Sequence, residues 1–340
     1  MQDLETALDG SHSKMPFRFL AVVLILAASA AAQTPVRPAA THYRVVPLPF
    51  RPSRINDSGV IAGSTEDHMP AVWTEKDGLR QLGLPPGFTA TESLGLNRAG
   101  DVAGTATREG SSEPVAFQSS GGKVSLLSDE RSKATAINGS GEIVGQSSER
   151  IVAWHKGKSI PLGGCCGGIA HAVNNRGQIV GQFNDKAGRF GAFLWEPDQG
   201  LRSIAPAQGT NSTALAINDA AHVLVQSFSP NAVFLWQGGK FTDVQLSDEF
   251  ASQPLALNNQ DVIVGEFGAA SDFNHAFLWD RQHGFRDLNH LIDASSDWVL
   301  ESAFDVNDWG EIVGIGDHGN DQDVGFLLVP ETTAATRPTK

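Results

Sequence analysis

Polar and apolar positions along this chain repeat one short figure seven times. Its clearest copy is Ile137-Asn138-Gly139-Ser140-Gly141-Glu142-Ile143-Val144-Gly145. The Asn recurs as Asn56, Asn97, Asn138, Asn174, Asn218, Asn258 and Asn307, at intervals of 36 to 49 residues. An apolar residue precedes each one: Ile55, Leu96, Ile137, Val173, Ile217, Leu257 and Val306. Three residues after the Asn stands Gly in five copies, with Ala221 and Asp261 the exceptions. Seven after it stands Gly in six copies, with Val225 the exception. Asn opening a type I turn bonds back to the backbone, and Gly at the fourth position supplies a left-handed conformation. β-Branched pairs such as Ile143-Val144 and Ile312-Val313 follow. Each copy therefore reads as a β-hairpin with the Asn at its tip, and the seven Asn residues read as turn formers rather than catalysts.

Two further strand signals follow each hairpin. One is aromatic: Ala71-Val72-Trp73, Val115-Ala116-Phe117, Val152-Ala153-Trp154 and Ala192-Phe193-Leu194-Trp195 in the first four copies, with Phe234, Phe277 and Phe326 in the last three. A Gly-containing turn then leads to a fourth strand, but only six of the seven copies have one. The missing strand is supplied by an orphan, Tyr43 to Leu48, which precedes the first hairpin. Four strands per unit, a period near 41 residues and an N-terminal strand completing the last unit predict an all-β fold. It is a seven-bladed β-propeller of four-stranded antiparallel blades over residues 43–330.

The innermost strands predict their own packing. Two residues before the Asn, the five middle copies carry Gly95, Ala136, Ala172, Ala216 and Ala256, small enough for a crowded axis. The first and last copies carry Arg54 and Asp305 instead, opposite charges that meet where the ring closes, and an ion pair bracing that seam is expected. The tryptophans of the third strands (Trp73, Trp154, Trp195, Trp236, Trp279) read as packing between blades.

Taken together, Ile-Asn-x-x-Gly-x-Ile-Val-Gly followed by His275-Ala276-Phe277-Leu278-Trp279 resembles the bacterial extracellular HAF-repeat proteins. Weaker forms of the triplet stand at Gly191-Ala192-Phe193 and Asn231-Ala232-Val233. The last copy also resembles the family through Asp287-Leu288-Asn289, Leu291-Ile292-Asp293 and Trp298-Val299-Leu300. The resemblance spans residues 43–330 and implies a secreted repeat protein. It carries over no catalytic residue.

Composition narrows the partners. The net charge is −13, the isoelectric point is near 5.1, and Lys and Arg are not clustered. That excludes nucleic acid and anionic membranes as natural partners. Lys14 and Arg18, the apolar run from Phe19 to Ala28 and Ala30-Ala31-Ala32 read as a signal peptide over residues 1–32, with translation beginning at Met15. A linker over 33–42 and a tail over 331–340 frame the repeats. The expected product is an exported, extracellular or periplasmic monomer without a membrane span. Its adjacent cysteines, Cys165 and Cys166, can form a vicinal disulfide in an oxidising compartment.

Candidate chemistry lies in the loops between second and third strands. Three of them pair an acid with a histidine: Asp67 and His68, Asp272 and His275, Asp317 and His318. Carboxylate and imidazole together serve metal binding or acid–base work. The acidic stretch Asp317 to Asp323 offers oxygen ligands for Ca²⁺ without the spacing of an EF-hand. Gly-x-Ser-x-Gly, His-Glu-x-x-His and phosphate-loop patterns are absent. The primary reading is a non-catalytic module that binds a protein or polysaccharide or serves a structural role, with no cofactor. The alternative is a propeller hydrolase or lyase using the acid–histidine loops.

Overall fold

The computed structural model describes residues 40–331, apart from 85, 112, 165, 207–209, 230, 247–250 and 270–272. The signal peptide, most of the linker and the tail lie outside the described residues. Seven four-stranded antiparallel sheets follow one another in chain order. Blade 3 shows the plan: Ser132–Ile137 is innermost, then Ile143–Ser147, Arg150–His155 and, outermost, Lys158–Pro161. Blade 7 is completed by the N-terminal strand, Tyr43–Leu48, paired antiparallel with Asp321–Pro330. The seven-bladed propeller and its N-terminal closure are therefore as the repeat arithmetic requires.

Each Asn makes the turn that its sequence context predicts. Its side-chain oxygen accepts from the backbone N–H groups two and four residues on, as with Arg176 and Gln178 on Asn174, both at 3.0 Å. The residue three after the Asn is left-handed in all seven copies, from Gly59 (φ 75°) to Gly310 (φ 77°). The two exceptions adopt it without being glycine, Ala221 at φ 63° and Asp261 at φ 61°.

The amide nitrogen does something the repeat alone does not reveal. Each Asn donates to the backbone carbonyl of the next blade's Asn: Asn56 to Asn97, Asn97 to Asn138, Asn138 to Asn174 and Asn174 to Asn218. Asn218 to Asn258, Asn258 to Asn307 and Asn307 back to Asn56 complete the circle. All seven donor–acceptor distances lie between 2.8 and 3.3 Å. The seven side chains are buried. One residue type thus closes each hairpin and bonds each blade to its neighbour.

A second regularity sits on the innermost strands. In all seven, the pairing register slips by one residue just before the Asn, as between Ala170 and Ala172. Such a bulge increases twist and re-aims side chains. At that extra position, Thr135 donates to Ala170 O of the next blade at 2.7 Å. The bulge also explains the Gly seven residues after the Asn. A Cβ at Gly181 would collide with Ile169 O and approach Phe193 Cε1 to 2.9 Å. The Phe of the third strand lies over the bare glycine backbone, an arrangement that restores the buried area the missing side chain forfeits. Val225 is the exception that fits: opposite it, Phe234 turns partly outward and meets Phe241 edge-on at 5.8 Å.

Small residues two before the Asn also have a steric reason. A Cβ on Gly95 would stand 3.0 Å from Ala136 Cα and Ile137 N of the next innermost strand. Of the third-strand tryptophans, Trp154, Trp236 and Trp279 are buried in the packing between blades.

The seam between blades 7 and 1 departs from expectation. Among the described residues no ion pair joins Asp305 to Arg54. Asp305 reaches the backbone of the following blade instead, where its Oδ2 accepts from Ile55 N at 2.9 Å. Arg54 Nη1 turns to Ser53 O at 2.7 Å. Asp308 N donates to Asp57 Oδ1 at 2.9 Å and Trp309 Nε1 to Asp57 O at 3.0 Å, bracing the seam further. Burial pushes the Asp305 carboxyl up to about 6, against the opposing pull of Arg54. A raised carboxyl favours the protonated native state. Its contribution is complete below the ordinary value of 3.8 and is lost as pH rises through about 6. Asp305→Asn keeps an oxygen for Ile55 N–H and removes the charge. It is expected to raise the melting temperature at pH 7.5 by about 2–5 °C, with the gain vanishing near pH 4. Melts of both proteins across that range check it.

Candidate functional site

The two faces of the propeller differ in kind. The face carrying the Asn turns is bonded largely within itself, with Gln260 Oε1 of the blade 6 turn left without a partner among the described residues. Outside the Asn circle, the next residue of the turn continues the bonding in an arc from blade 3 round to blade 1: Gly139 N to Asn175, then Asn175 to Asp219, Asp219 N to Asn259, Asn259 to Asp308 and Asp308 N to Asp57. On the rim of this face His222 Nδ1 lies 2.6 Å from Asp261 Oδ1, while Asn218 and Arg281 also donate to Asp261. Asp261 therefore keeps its left-handed backbone because three partners hold its carboxylate. Sequence reading recorded Asp261 only as a missing glycine.

The opposite face is uneven. Counted from the Asn, the pairing of the two inner strands ends at Arg51–Ser64 in blade 1, five residues back. In blade 2 it runs to Phe88–Arg108 and in blade 7 to Trp298–His318, nine residues back. These two blades each contain a second bulge, at Ala90/Glu92 and Leu300/Ser302. Allowing for that extra residue, both hairpins stand about 10 Å above blade 1. Blade 1 lies between them in the ring, so its top is the floor of a saddle.

The tips of the two hairpins are built differently. In blade 2, the Arg108 guanidinium lies 5.4 Å from the centroid of the Phe88 ring. An open cleft of about 480 Å³ adjoins this pair, lined by Pro86, Gly87, Glu109, Gly110 and Leu126 besides. In blade 7, Trp298 and His318 stack at 4.5 Å and 11°, and Val299 is 41 % exposed. At the foot of that hairpin Arg51 Nη1 meets Asp323 Oδ1 at 3.2 Å, and its guanidinium lies over Phe304 at 5.5 Å. Glu301, on the innermost strand beside them, has its carboxyl raised. Burial is the first cause, then the like charges of Asp317 and Asp323, with Arg51 opposing and Glu266 of blade 6 adding. Among the described residues neither Glu301 nor Asp317 has an ion-pair partner.

The acid–histidine pairs do not assemble into one centre. His68, at φ 59°, and Asp67 occupy an exposed turn closed by Thr65 and Met69 in blade 1. Asp272 lies outside the described residues. His275 lies within the third strand of blade 6, where its Nδ1 is 2.8 Å from Asp287 Oδ2. Asp287 in turn caps the short 3₁₀ helix Leu288–Leu291. Asn289 exchanges two bonds with Leu300, of 2.7 and 2.9 Å, like a short strand. These contacts give the His-Ala-Phe and Asp-Leu-Asn motifs a shared structural task. Asp317 and His318 end the second strand of blade 7, and His318 spends its ring face on Trp298. No hydrogen bond, ion pair or ring contact among the described residues joins these three blades' candidates to one another.

The acidic stretch from Asp317 to Asp323 is not an open loop. His318 pairs with Asp321 across Gly319 and Asn320, so it is a tight hairpin, with Asp323 committed to Arg51. Among the described residues no group of three or more His, Cys, Asp or Glu is arranged to hold a metal ion. Cys166 is exposed, and Cys165 lies outside the described residues. Among the described residues no helix is long and apolar enough to cross a membrane.

No protein-family model matches the chain. No curated protein matches it either. Solved structures match it by fold. A virginiamycin B lyase from Staphylococcus aureus aligns with a TM-score of 0.55 at 11 % identity, over 85 % of this chain and 99 % of that one. A puromycin-hydrolysing peptidase from Mycobacterium tuberculosis aligns at 0.55 and 12 %, over 87 % of this chain and 53 % of that one. YCF48 from Cyanidioschyzon merolae aligns at 0.53 and 12 %, over 86 % and 100 %. At such identity the likeness concerns the propeller alone.

Proposed function

We propose that this chain is an exported, non-catalytic propeller of the HAF-repeat kind that binds a protein or polysaccharide through the face opposite its Asn turns. One observation carries the reading: the turn face bonds its Asn side chains in a closed circle and the residues after them in an arc from blade 3 to blade 1, whereas the other face raises two differently built hairpins with exposed or unpaired groups. Exposed and chemically mixed loop surface on a rigid scaffold is where propellers bind. The candidate histidines support binding over catalysis, since His275 and His318 are engaged within their own blades. The leader sequence supports export, and the repeat motifs support the family.

Val299→Asp on the raised face is expected to weaken a bound partner about tenfold, as burying an unpaired charge in an interface does. Arg98→Ala on the turn face is expected to leave it unchanged. Titration of a polysaccharide panel and of envelope proteins against both variants checks this. A ligand that responds only to the turn-face change would reverse the assignment.

One observation favours a second reading, as a hydrolase or lyase. The raised carboxyl of Glu301 at the axial mouth is of the kind that serves as a general acid. Two structural neighbours, one named as a lyase and one as a peptidase matched over 53 % of its length, are compatible with this reading. A hydrolytic or eliminating activity that Glu301→Gln abolishes without changing the melt would establish it.

A further inference from the structure

The saddle over blade 1 has two walls of known composition. The blade 7 wall presents Val299, 41 % exposed, with Glu301 and Asp317 above the Arg51–Asp323 pair. The nearest guanidinium is therefore already taken, and two carboxylates on this wall have no cation of their own among the described residues. The floor adds Glu66 and Asp67 in the exposed turn of blade 1. The blade 2 wall carries Phe88 at its tip, with its ring under the Arg108 guanidinium, and Pro86, Leu126 and Glu109 around the 480 Å³ cleft. The shape is independent of the charges. It follows from the two long hairpins with their second bulges, on either side of the blade whose inner strands are among the shortest, Arg51–Ile55 and Ile61–Ser64.

We infer that this saddle receives a Lys- or Arg-bearing peptide segment of a partner protein, its cations set against Glu301 and Asp317 and its apolar side chains against Val299 and the Phe88–Leu126 cleft. Charge complementarity selects this occupant. A cation between Glu301 and Asp317 relieves a like-charge repulsion already present in the free protein, so binding gains what the unbound state lacks. An acidic polysaccharide would meet the same carboxylates as repulsion. The inference rests on the proposal that this face is the binding face, and adds to it the position and the chemistry of the partner.

The test uses the purified full chain and a fluorescein-labelled octapeptide of alternating Lys and Leu, read by anisotropy at low and moderate salt. A Glu–Leu octapeptide and a neutral dextran serve as comparison probes. The Lys–Leu peptide is expected to bind with a salt-sensitive affinity that falls at least tenfold in the double variant Glu301→Gln/Asp317→Asn. It should fall less than twofold in Glu75→Gln/Asp198→Asn, which removes the same charge from turns of the other face. Phe88→Ala should weaken it severalfold. Neutralising two repelling carboxylates does not unfold the blade, and a melt of each variant verifies that. Equal weakening in both double variants, or no binding of the Lys–Leu peptide, overturns the inference. Binding of dextran or the Glu–Leu peptide that only the raised-face variants reduce would leave the binding face standing and remove the cationic partner. No response of any probe to the raised-face variants would remove both.

Discussion

Asn174→Ala is expected to lower the stability of the propeller by about 3–6 kcal/mol, read as a fall in urea midpoint at unchanged slope. The side chain is buried and makes four bonds: its oxygen accepts from Arg176 N and Gln178 N, and its nitrogen donates to Asn218 O and Gln178 Oε1. Truncation leaves two turn N–H groups and the carbonyl of the neighbouring blade without these partners. Each such group, if it stays sequestered from water, costs about 1–3 kcal/mol. Asn174→Asp separates the two tasks. Aspartate forms the same turn through its oxygens, but it cannot donate to Asn218 O and sets a charge against that carbonyl. If the turn alone mattered, the Asp variant would match the parent. The circle of bonds predicts a loss of about 2 kcal/mol or more for Asp as well.

Gly181→Ala should cost about 3 kcal/mol, although it adds a single methyl group to a strand. The new Cβ would collide with Ile169 O and stand 2.8 Å from Ala170 Cα, both backbone atoms fixed by the bulge, and 2.9 Å from Phe193 Cε1. Backbone cannot yield as a side chain can. Gly191→Ala, in the same blade, is the matched comparison. There the added carbon meets only the edge of the half-buried Phe183 ring, at 3.1 Å, a side chain rather than backbone. That change should cost less than about 1 kcal/mol. Similar losses at the two sites, in urea titrations of both variants, would show that the bulge relaxes freely and that the glycine is not there to clear it.

The difference between these sites marks what the sequence could tell. Turn formers, strand signals and blade count are local or periodic properties, and all were legible: Asn138 with Gly141, the aromatic third strands, and Tyr43–Leu48 as the missing outermost strand. The small residues at Gly95 and Ala136 were legible as packing and proved to be so. What lay beyond reach required two blades at once. The amide of Asn174 was assigned to its own turn because nothing in one repeat shows that the next repeat's carbonyl stands 3.0 Å away. The Arg54–Asp305 pairing failed for a related reason. Nothing in one repeat shows that Asp305 meets the Ile55 N–H of the next blade while Arg54 turns to the Ser53 carbonyl of its own. The raised hairpins were missed because their length depends on a second bulge, which leaves no mark in apolar periodicity. His275 was read as a ligand candidate when its partner Asp287 was twelve residues away and equally visible.

The circle of Asn bonds has a bearing on how such a chain can grow. Each unit gives one donor and takes one acceptor, always in the same rotational sense. A tandem duplication or loss of one complete unit would therefore strand no hydrogen-bonding group. It would leave a circle of eight or six with the same local chemistry. What opposes a change in number is not this bond but the spacing of innermost strands, which at Gly95 and Ala136 already approach as closely as a Cβ permits. Insertion or loss of part of a unit has no such latitude, since it would open the circle and expose both a donor and an acceptor. Gene-level changes in a chain of this kind are therefore expected to fall in whole-unit steps, with the ends of the chain free to sit in any blade.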